Sequence, residues 1–293
     1  MYPFFAELAT EELGMDADPE DVTINPKGIN HFTFIDEVHV GGVDVFDDLR
    51  ELLDDERANR EYTADELADV SPFVDNQQVM WELFRRFDMI PAGGDRHLVE
   101  YATWFLQGGK EGLNRWGVKR TDSDYRSKHW NPAESNQTTD VAAWMEGEKE
   151  FEISKSRERF ADMLEALHGG EPCVANVNMP NVGQVRGVEE DAVVETNAYV
   201  RGDEIVPMTA GGFPRPLESL IDGHVDTVET VIEASRTGDV DEAFRGFLID
   251  PQVRALQTED ARDMFAELAS ALEPYLDGWN LGESDVLAES PEW

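Results

Sequence analysis

The sequence is poor in cysteine and has no long apolar runs. Its 293 residues include one cysteine, Cys173, which excludes a disulfide framework and fits a reducing compartment. No segment approaches the roughly 20 consecutive apolar residues that a membrane-spanning helix needs. The first residues also lack the basic flank and long apolar segment of a signal peptide. We therefore expect a cytoplasmic protein that does not associate with membranes.

Positive charge is also scarce. The chain has 24 lysines and arginines against 63 aspartates and glutamates, which gives a formal net charge of -39. The acidic residues are spread over the whole sequence. This distribution indicates a soluble protein and says little about its partners. Nucleic acid and anionic membranes are disfavoured as partners. Because such self-repulsion is best tolerated where salt screens it, the composition predicts a halophilic protein of a salt-rich cytoplasm.

Several motifs of known chemistry are missing. The sequence contains no Gly-x-Gly-x-x-Gly fingerprint for a dinucleotide, no phosphate loop, no Gly-x-Ser-x-Gly and no His-x-x-x-His. The cluster of Gly108, Gly109 and Gly112 does not follow a predicted strand, so it does not indicate a dinucleotide site. The residues present therefore provide no cofactor-binding site of these types.

The hydrophobic pattern predicts an α+β fold, and a chain of 293 residues could form one large domain or two. Helical periodicity predicts helices over Asp75–Asp88, Asp95–Leu106 and Glu150–His168, and three closing helices near 224–236, 240–249 and 258–276. Period-two alternation predicts strands over 173–181 and 192–200. Residues 108–148 form a turn-rich insertion that is either a functional lid or a covering loop with buried tryptophans. The residues from 282 to 293 form a polar tail.

One β-prone run, Gly28 to Asp36, carries ligand-capable side chains. Strand alternation would place His31 on one face of this strand and Asn30 on the other. His31 is then either a core histidine bonded to the backbone or a metal ligand, together with Asp36, His39 or a residue from another segment.

A second polar group, Asp95-Arg96-His97, opens a predicted helix with Asp95 at the N-cap. A helix N-terminus presents unpaired N–H groups and a positive dipole, which lower the pKa of a carboxylate. The residues alone thus predict an acidic α+β protein with a polar site that joins His31 to Asp95, Arg96 and His97.

Four segments, in order and over nearly the whole chain, resemble the C-terminal portion of the family 4 glycoside hydrolases. Within that family the sequences of these segments are most similar to the α-galacturonidase and α-glucuronidase branch. The segments are Gly28-Ile29-Asn30-His31-Phe32, Gly94 to Tyr101 followed by Trp104, Val177 to Val185, and Val193-Val194-Glu195.

The resemblance implies hydrolysis of α-linked uronides by a route that depends on NAD and manganese, outside the usual two-carboxylate scheme. It implies that His31 binds the metal and that Asp95 is the catalytic base, and Glu100 or Tyr101, one helical turn further on, are the next candidates for the base. Asn30, Arg96 and His97 would then contact the substrate, with arginine suited to a uronate carboxylate. It also implies that residues 1–281 form one domain with the C-terminal fold that this family shares with lactate and malate dehydrogenases, in which helices pack on a mostly antiparallel sheet.

The resemblance places two parts of the site outside the matched segments. Family members carry an N-terminal nucleotide-binding Rossmann domain, which holds most of the NAD site, and a cysteine ligand upstream of the segment at Gly28. Cys173 does not match that position. We therefore expect this chain to be inactive without an N-terminal half, to work with such a companion or as a homo-oligomer, or else to be a non-catalytic oligomerisation or sugar-binding remnant.

The acidic composition makes a testable prediction about salt. The melting temperature should rise as potassium chloride is increased from low to molar concentrations, because counterions screen the repulsion among carboxylates. Thermal unfolding followed by circular dichroism measures this dependence. A melting temperature that stays flat or falls across that range would contradict the halophilic interpretation.

Overall fold

The computed structural model describes residues 1–121, 123–130, 136–150 and 159–288. The strands are β1 (Val22–Ile29), β2 (Phe32–Val40), β3 (Val43–Asp44), β4 (Ile90–Pro91), β5 (Cys173–Pro180), β6 (Val193–Arg201) and β7 (Glu204–Pro207). The helices are α1 (Tyr2–Glu11), α2 (Phe46–Glu51), α3 (Ala64–Leu67), α4 (Gln78–Phe87), α5 (Asp95–Tyr101), α6 (Gly109–Arg115), α7 (Ser123–Trp130), α8 (Asn136–Glu146), α9 (Phe160–Leu167), α10 (Arg215–Thr237), α11 (Val240–Ile249) and α12 (Thr258–Leu272).

The strands form one sheet in the order β3-β2-β1-β6-β5, with β4 added to β2 and β7 added to β6. Each of these strand pairs is antiparallel. Helices α1, α4, α5 and α10 pack on the β1–β2 region, and α9 covers part of β5 and β6. The predicted α+β class, with helices on a mostly antiparallel sheet, is confirmed.

The run from Gly28 to Asp36 is a hairpin instead of one strand. Ile29 of β1 pairs with Phe32 of β2, which leaves Asn30 and His31 as a two-residue turn. His31 has a φ of 63°, a left-handed conformation that histidine adopts more readily than β-branched residues do. The prediction that His31 lies on a strand face is therefore wrong. Because β-prone residues flank the turn on both sides, the sequence pattern predicts one continuous strand there.

Gly28 is required where β1 meets β2. A Cβ atom at this position would collide with the carbonyl oxygen of Phe32 and the Cα of Thr33. The two strands therefore approach more closely here than any larger residue allows. This close approach holds the end of the hairpin in register beside the turn.

Helix α5 begins differently from the prediction. Its N-cap is Gly94, and Asp95 is its first helical residue. The Asp95 side chain instead caps the neighbouring helix α4, because its carboxyl oxygens accept hydrogen bonds from the backbone N–H groups of Val79, at 3.2 Å, and Met80, at 2.9 Å. These two N–H groups lie in the first turn of α4, where a helix has no internal acceptors. Asp95 thus joins α4 to α5.

The segment 108–148 is more regular than predicted. It contains α6, α7 and α8, while residues 122 and 131–135 lie outside the described residues. Leu113 and Val118 are buried in the main core, so this end of the segment is part of the domain. Of the helix predicted over 150–168, residues 160–167 are helical and 151–158 lie outside the described residues.

The closing helices agree with the pattern over 240–249, whereas α10 begins at Arg215, before the predicted start. The segment predicted as a polar tail packs against the rest of the chain at Val286. This residue is buried, and its backbone N–H donates a hydrogen bond to the Asp241 carboxylate. Residues 289–293 lie outside the described residues. Among the helices in the described ranges, none is long and apolar enough to cross a membrane.

Asp95 makes a prediction about stability. Asp95→Ala should lower the free energy of unfolding by about 1–3 kcal/mol, because two buried N–H groups of α4 lose their acceptor. Urea unfolding measures this change. Asp69→Ala, at an exposed aspartate, is the matched control and should change stability by less than about 0.5 kcal/mol. Equal effects of the two substitutions would contradict the capping role.

Asp95 also makes a prediction about pH. Burial, followed by the charge of Asp75, raises its pKa from 3.8 to about 8. The folded state therefore binds more protons than the unfolded state between about pH 4 and pH 8, so the contribution of Asp95 to stability falls as the pH rises through this window. The difference in unfolding free energy between the wild type and Asp95→Ala, measured from pH 5 to 8, should shrink as the pH rises. A difference that grows would contradict this pKa.

Candidate functional site

The tip of the β1–β2 hairpin presents an exposed imidazole. His31 lies in the turn, and its side chain faces solvent. Gly93 packs against the backbone of the turn so closely that a Cβ atom there would collide with the carbonyl oxygen of His31. The glycine before α5 thus lets that segment lie directly against the hairpin tip.

Helix α5 brings a second imidazole to the tip. The ring of His97 stacks on the ring of His31, with centroids 4.3 Å apart and an angle of 28° between the planes. One turn further along α5, a carboxylate oxygen of Glu100 lies 3.4 Å from Nδ1 of His97. Both side chains are exposed. The two imidazoles and this carboxylate therefore form one cluster open to solvent.

Tyr101, the last residue of α5, fastens the helix to the hairpin. Its hydroxyl donates a hydrogen bond of 2.8 Å to the carbonyl oxygen of Asn30, and its ring stacks on Phe32 with centroids 4.8 Å apart. His224 of α10 lies against the same ring, and its Nε2 is 3.2 Å from the Tyr101 carbonyl oxygen. Burial, and then the charges of Glu100 and Glu195, raise the pKa of the Tyr101 hydroxyl.

The sheet supplies the other side of the site. Asn178 of β5 and Glu195 of β6 are directly opposite each other. The amide nitrogen of Asn178 is 3.4 Å from Oδ1 of Asn30, and a Glu195 carboxylate oxygen accepts a hydrogen bond of 3.3 Å from the His31 backbone N–H. Burial raises the pKa of Glu195, and this bond opposes the shift in part. The carboxylate of Glu195 and the amide of Asn178 thus lie against the turn, and the turn itself carries the amide of Asn30.

The sequence-predicted site residues divide into two groups. The structure brings Asn30, His31 and His97 together at the tip. Asp95 is 2% exposed and is bonded to the first turn of α4. Arg96 lies over the Phe73 ring, with its guanidinium carbon 4.6 Å from the centroid, and 3.5 Å from the Thr121 hydroxyl. Successive helical residues point in different directions, so only one of the three neighbours faces His31.

The donor atoms at the tip suit a divalent ion only in part. Imidazole nitrogen with carboxylate and amide oxygen is a mixed donor set that suits manganese among other first-row metals. In the described part of the chain, however, no three histidine, cysteine, aspartate or glutamate side chains are grouped to hold a metal ion. Asp36, which the sequence suggests as a partner of His31, instead forms an ion pair with the buried Lys27. His31 would therefore need ligands from elsewhere.

A cavity of about 380 Å³ opens beside the tip. Asn30 and Tyr101 form one side of it, and His224 together with α10 side chains forms the other. Burial lowers the pKa of His224, so its imidazole is neutral near pH 7. Because its Nε2 faces a carbonyl oxygen, that nitrogen carries the proton.

A sequence profile described as the Family 4 glycosyl hydrolase C-terminal domain matches residues 27–253. The chain belongs to this family. The matched range contains the hairpin tip, α5, the paired strands β5 and β6, and helix α10, so all residues of the site lie within it.

Curated relatives of the chain include α-galacturonidases. That of Thermoanaerobacter italicus is 33% identical over 275 residues, and that of Bacillus subtilis is 33% identical over 270 residues. The alignments cover 94% and 91% of this chain. They cover 60% and 58% of the relatives, so the chain spans about three fifths of the length of each.

Solved structures show the same fold. A Bacillus subtilis protein described as a glucosidase, lplD, superposes with a TM-score of 0.80 at 32% identity, covering 91% of this chain and 60% of that one. A 6-phospho-α-glucosidase from gut microorganisms, solved with NAD and Mn²⁺, superposes with a TM-score of 0.68 at 15% identity and covers 93% of this chain and 59% of that one. The fold predicted from the family resemblance is thereby confirmed.

The sequence patterns predict no role for Asn178, Glu195 and His224, and they make Tyr101 only an alternative to Asp95 as the base. Tyr101, Asn178 and Glu195 nevertheless lie inside the segments that carry the family resemblance. His224 lies in α10, where the amphipathic pattern showed only a helix. Its position against Tyr101 depends on packing between residues 123 apart in sequence.

The backbone of His31 allows its side chain to be removed without disturbing the fold. His31→Gly should leave the free energy of unfolding unchanged or raise it by up to about 1 kcal/mol, because glycine adopts positive φ without steric cost. His31→Val is the matched comparison and should destabilise, because a β-branched residue is strained there. Urea unfolding of both variants checks the expectation. A glycine variant less stable than the valine variant would contradict the turn geometry.

Proposed function

We propose that this chain supplies the substrate- and metal-binding side of an enzyme that hydrolyses α-linked galacturonides. Water adds across the glycosidic bond, so that an α-galacturonide and water give galacturonate and the free alcohol of the leaving group. The observation that carries the proposal is the cluster at the hairpin tip, where His31, His97, Glu195 and the Tyr101 hydroxyl meet around one turn.

The comparisons support the substrate class. Relatives that align with more than nine tenths of this chain are named α-galacturonidases, and the aligned region contains the whole cluster. These relatives are longer than the part that aligns, so the proposal assigns to this chain only a share of their site. We further propose that a nucleotide-binding half, in the same or another polypeptide, completes it.

His31 is the proposed metal ligand. Its imidazole is exposed at the tip, Asn30 of the same turn carries an amide oxygen, and a carboxylate oxygen of Glu195 lies 3.3 Å from the His31 backbone nitrogen. A divalent ion bound there would stabilise negative charge that develops on the sugar oxygens during the reaction. Because the described residues offer no group of three such ligands, the remaining ones would come from the companion half.

We propose Tyr101 as the proton-accepting group in place of Asp95. The Asp95 carboxyl group is buried, its oxygens accept from two N–H groups of α4, and its raised pKa keeps it protonated near pH 7. A base must reach the proton that it removes and be free to accept it. Tyr101 instead lines the cavity beside Asn30, and its hydroxyl bonds to the Asn30 carbonyl oxygen. Its raised pKa keeps it neutral in the chain alone, and a nearby cation would lower that pKa.

NAD, when bound, would supply reversible oxidation of a sugar hydroxyl, which acidifies the neighbouring C–H bond. The residues of this chain would then bind the sugar, hold the metal through His31 and accept the proton at the Tyr101 hydroxyl. His97 lies beside His31 and would contact the sugar. Arg96 lies over Phe73 on the other side of α5, and a role in binding the uronate carboxylate stays a prediction.

The test joins this chain to the part of the Thermoanaerobacter relative that it does not span. With NAD and manganese present, the joined protein should release the alcohol from an α-galacturonide. His31→Gly should abolish the activity that depends on manganese, because the imidazole ligand is lost while the turn remains intact. Tyr101→Phe should slow turnover by about 10²–10⁴-fold while manganese binding persists.

His168→Ala is the matched control, because this histidine is exposed at the end of α9 and its ring bonds to its own helix. It should leave activity unchanged. Full activity of Tyr101→Phe would overturn the base assignment. If the joined protein binds the sugar without any turnover, the alternative of a non-catalytic sugar-binding protein is favoured.

A further inference from the structure

Helix α5 is too short to fix its own last residue. It has seven residues, Asp95–Tyr101. A helix of two turns is not stable by itself in water, so contacts with the rest of the chain must hold it. Asp95 joins its first turn to α4. Tyr101, whose hydroxyl is the proposed proton acceptor, lies at the opposite end and needs a separate support.

His224 provides a hydrogen bond at that end. Its Nε2 is 3.2 Å from the carbonyl oxygen of Tyr101. The last carbonyl groups of a helix have no partners within the helix. Because burial lowers the pKa of His224, its imidazole is neutral near pH 7, and the proton on Nε2 is donated to this carbonyl. The side chain of His224 thus caps α5 from α10.

The same imidazole also limits the orientation of the Tyr101 ring. The two ring centroids are 4.8 Å apart, and the planes are inclined by 67°. Phe32 stacks on the Tyr101 ring with an angle of only 5° between the planes, and the His224 ring lies 5.6 Å from the Phe32 centroid. Stacked and edge-to-face contacts both favour one relative orientation of the rings. The backbone and the ring of Tyr101 are therefore both held by His224.

Helix α10 is a firm support for this histidine. It has 23 residues, and Leu217, Ile221 and Val225 on it are buried in the main core. His224 itself is only 9% exposed. Burying a polar ring costs free energy that an apolar side chain at the same place would not. The Nε2 hydrogen bond to Tyr101 offsets this cost, and it links the last residue of α5 to the core.

We propose that His224 is a positioning residue for the Tyr101 hydroxyl. The inference rests on the proposed function, in which that hydroxyl accepts a proton. The imidazole fixes the end of α5 through the Tyr101 carbonyl oxygen, and it restricts the ring. The hydroxyl is thereby kept 2.8 Å from the Asn30 carbonyl oxygen at the hairpin tip. His224 acts through Tyr101, so its loss should affect turnover more than the binding of substrate or metal.

Three substitutions separate the hydrogen bond from the ring contact. His224→Gln keeps an N–H donor at a similar reach and loses the ring, whereas His224→Phe keeps a ring and loses the donor. His224→Ala loses both. Because the bond to the carbonyl fixes the end of the helix, glutamine should rescue the function and phenylalanine should resemble alanine. Ala234→Gly is the matched control, since it weakens α10 about 15 Å away from His224.

The first experiment uses the full chain alone and follows tyrosine carrying a carbon-13 label at Cζ by NMR. The chain has six tyrosines, and the Tyr101 signal is the one that Tyr101→Phe removes. Only the neutral hydroxyl donates to the Asn30 carbonyl, so this bond favours a high pKa of Tyr101. In His224→Ala and His224→Phe the pKa of Tyr101 should fall by about 0.5–1, because that bond is weakened.

His224→Gln and Ala234→Gly should change the pKa of Tyr101 by less than about 0.3. The titration is run in molar potassium chloride, which screens the repulsion among carboxylates. Circular dichroism at each pH confirms that every variant is folded.

The second experiment measures kcat and KM of the joined protein with NAD and manganese. His224→Ala and His224→Phe should lower kcat by about 10–100-fold, because a misplaced reacting group slows the chemical step. KM and manganese binding should stay within about twofold of the wild type. His224→Gln should keep kcat within about threefold, and Ala234→Gly should lower the melting temperature without changing kcat.

Three results would refute the inference. These are a wild-type Tyr101 pKa and kcat in His224→Phe, a glutamine variant no better than the alanine variant, and equal effects of His224→Ala and Ala234→Gly. If the joined protein has no turnover, or if Tyr101→Phe is fully active, the proposed function fails. The NMR titration of the chain alone then still decides whether His224 positions the Tyr101 hydroxyl.

Discussion

The site depends on the fixation of one two-residue turn. Asn30 and His31 have no secondary structure of their own, so surrounding groups must hold them in place. The Tyr101 hydroxyl bonds to the Asn30 carbonyl, the Glu195 carboxylate accepts from the His31 N–H, and Gly93 contacts the His31 carbonyl. These contacts come from α5, β6 and the loop before α5. Three separate parts of the chain must fold correctly before the imidazole of His31 is held.

Asp95 explains how α5 is held at the tip. Its carboxylate joins the first turn of α4 to the first turn of α5, and the two helices share the core beneath β2. His97, two residues later, then faces His31, and Tyr101, six residues later, ends the helix over Phe32. The acidic residue in this segment is therefore a positioning residue in the structure. It fixes the helix whose later residues form the site.

The sequence was sufficient for the fold class and for part of the site. Alternation over β5 and β6 and helical periodicity over α4 and α11 depend on local side-chain pattern, which the sequence shows directly. The turn at Asn30 and His31 could not be predicted, because both flanking segments favour strands. A hairpin turn of only two residues does not interrupt the β-prone sequence pattern. The role of Asp95 depends on a contact with a different helix, which no local pattern reveals. Arg96 was expected to face the site because of its neighbours, yet helical geometry turns it towards Phe73.

The net charge of the chain limits where on its surface an anion can bind. With a net charge of -39, an anionic sugar is repelled by most of the surface, and binding needs a site where cationic or neutral donors prevail. The hairpin tip provides imidazoles and amides, and a bound divalent ion would add the positive charge that the chain lacks. Glu100, Glu229 and Asp250 contribute to the lining of the cavity beside it. The imidazoles of the tip and this acidic lining therefore meet at Asn30 and Tyr101, which belong to both.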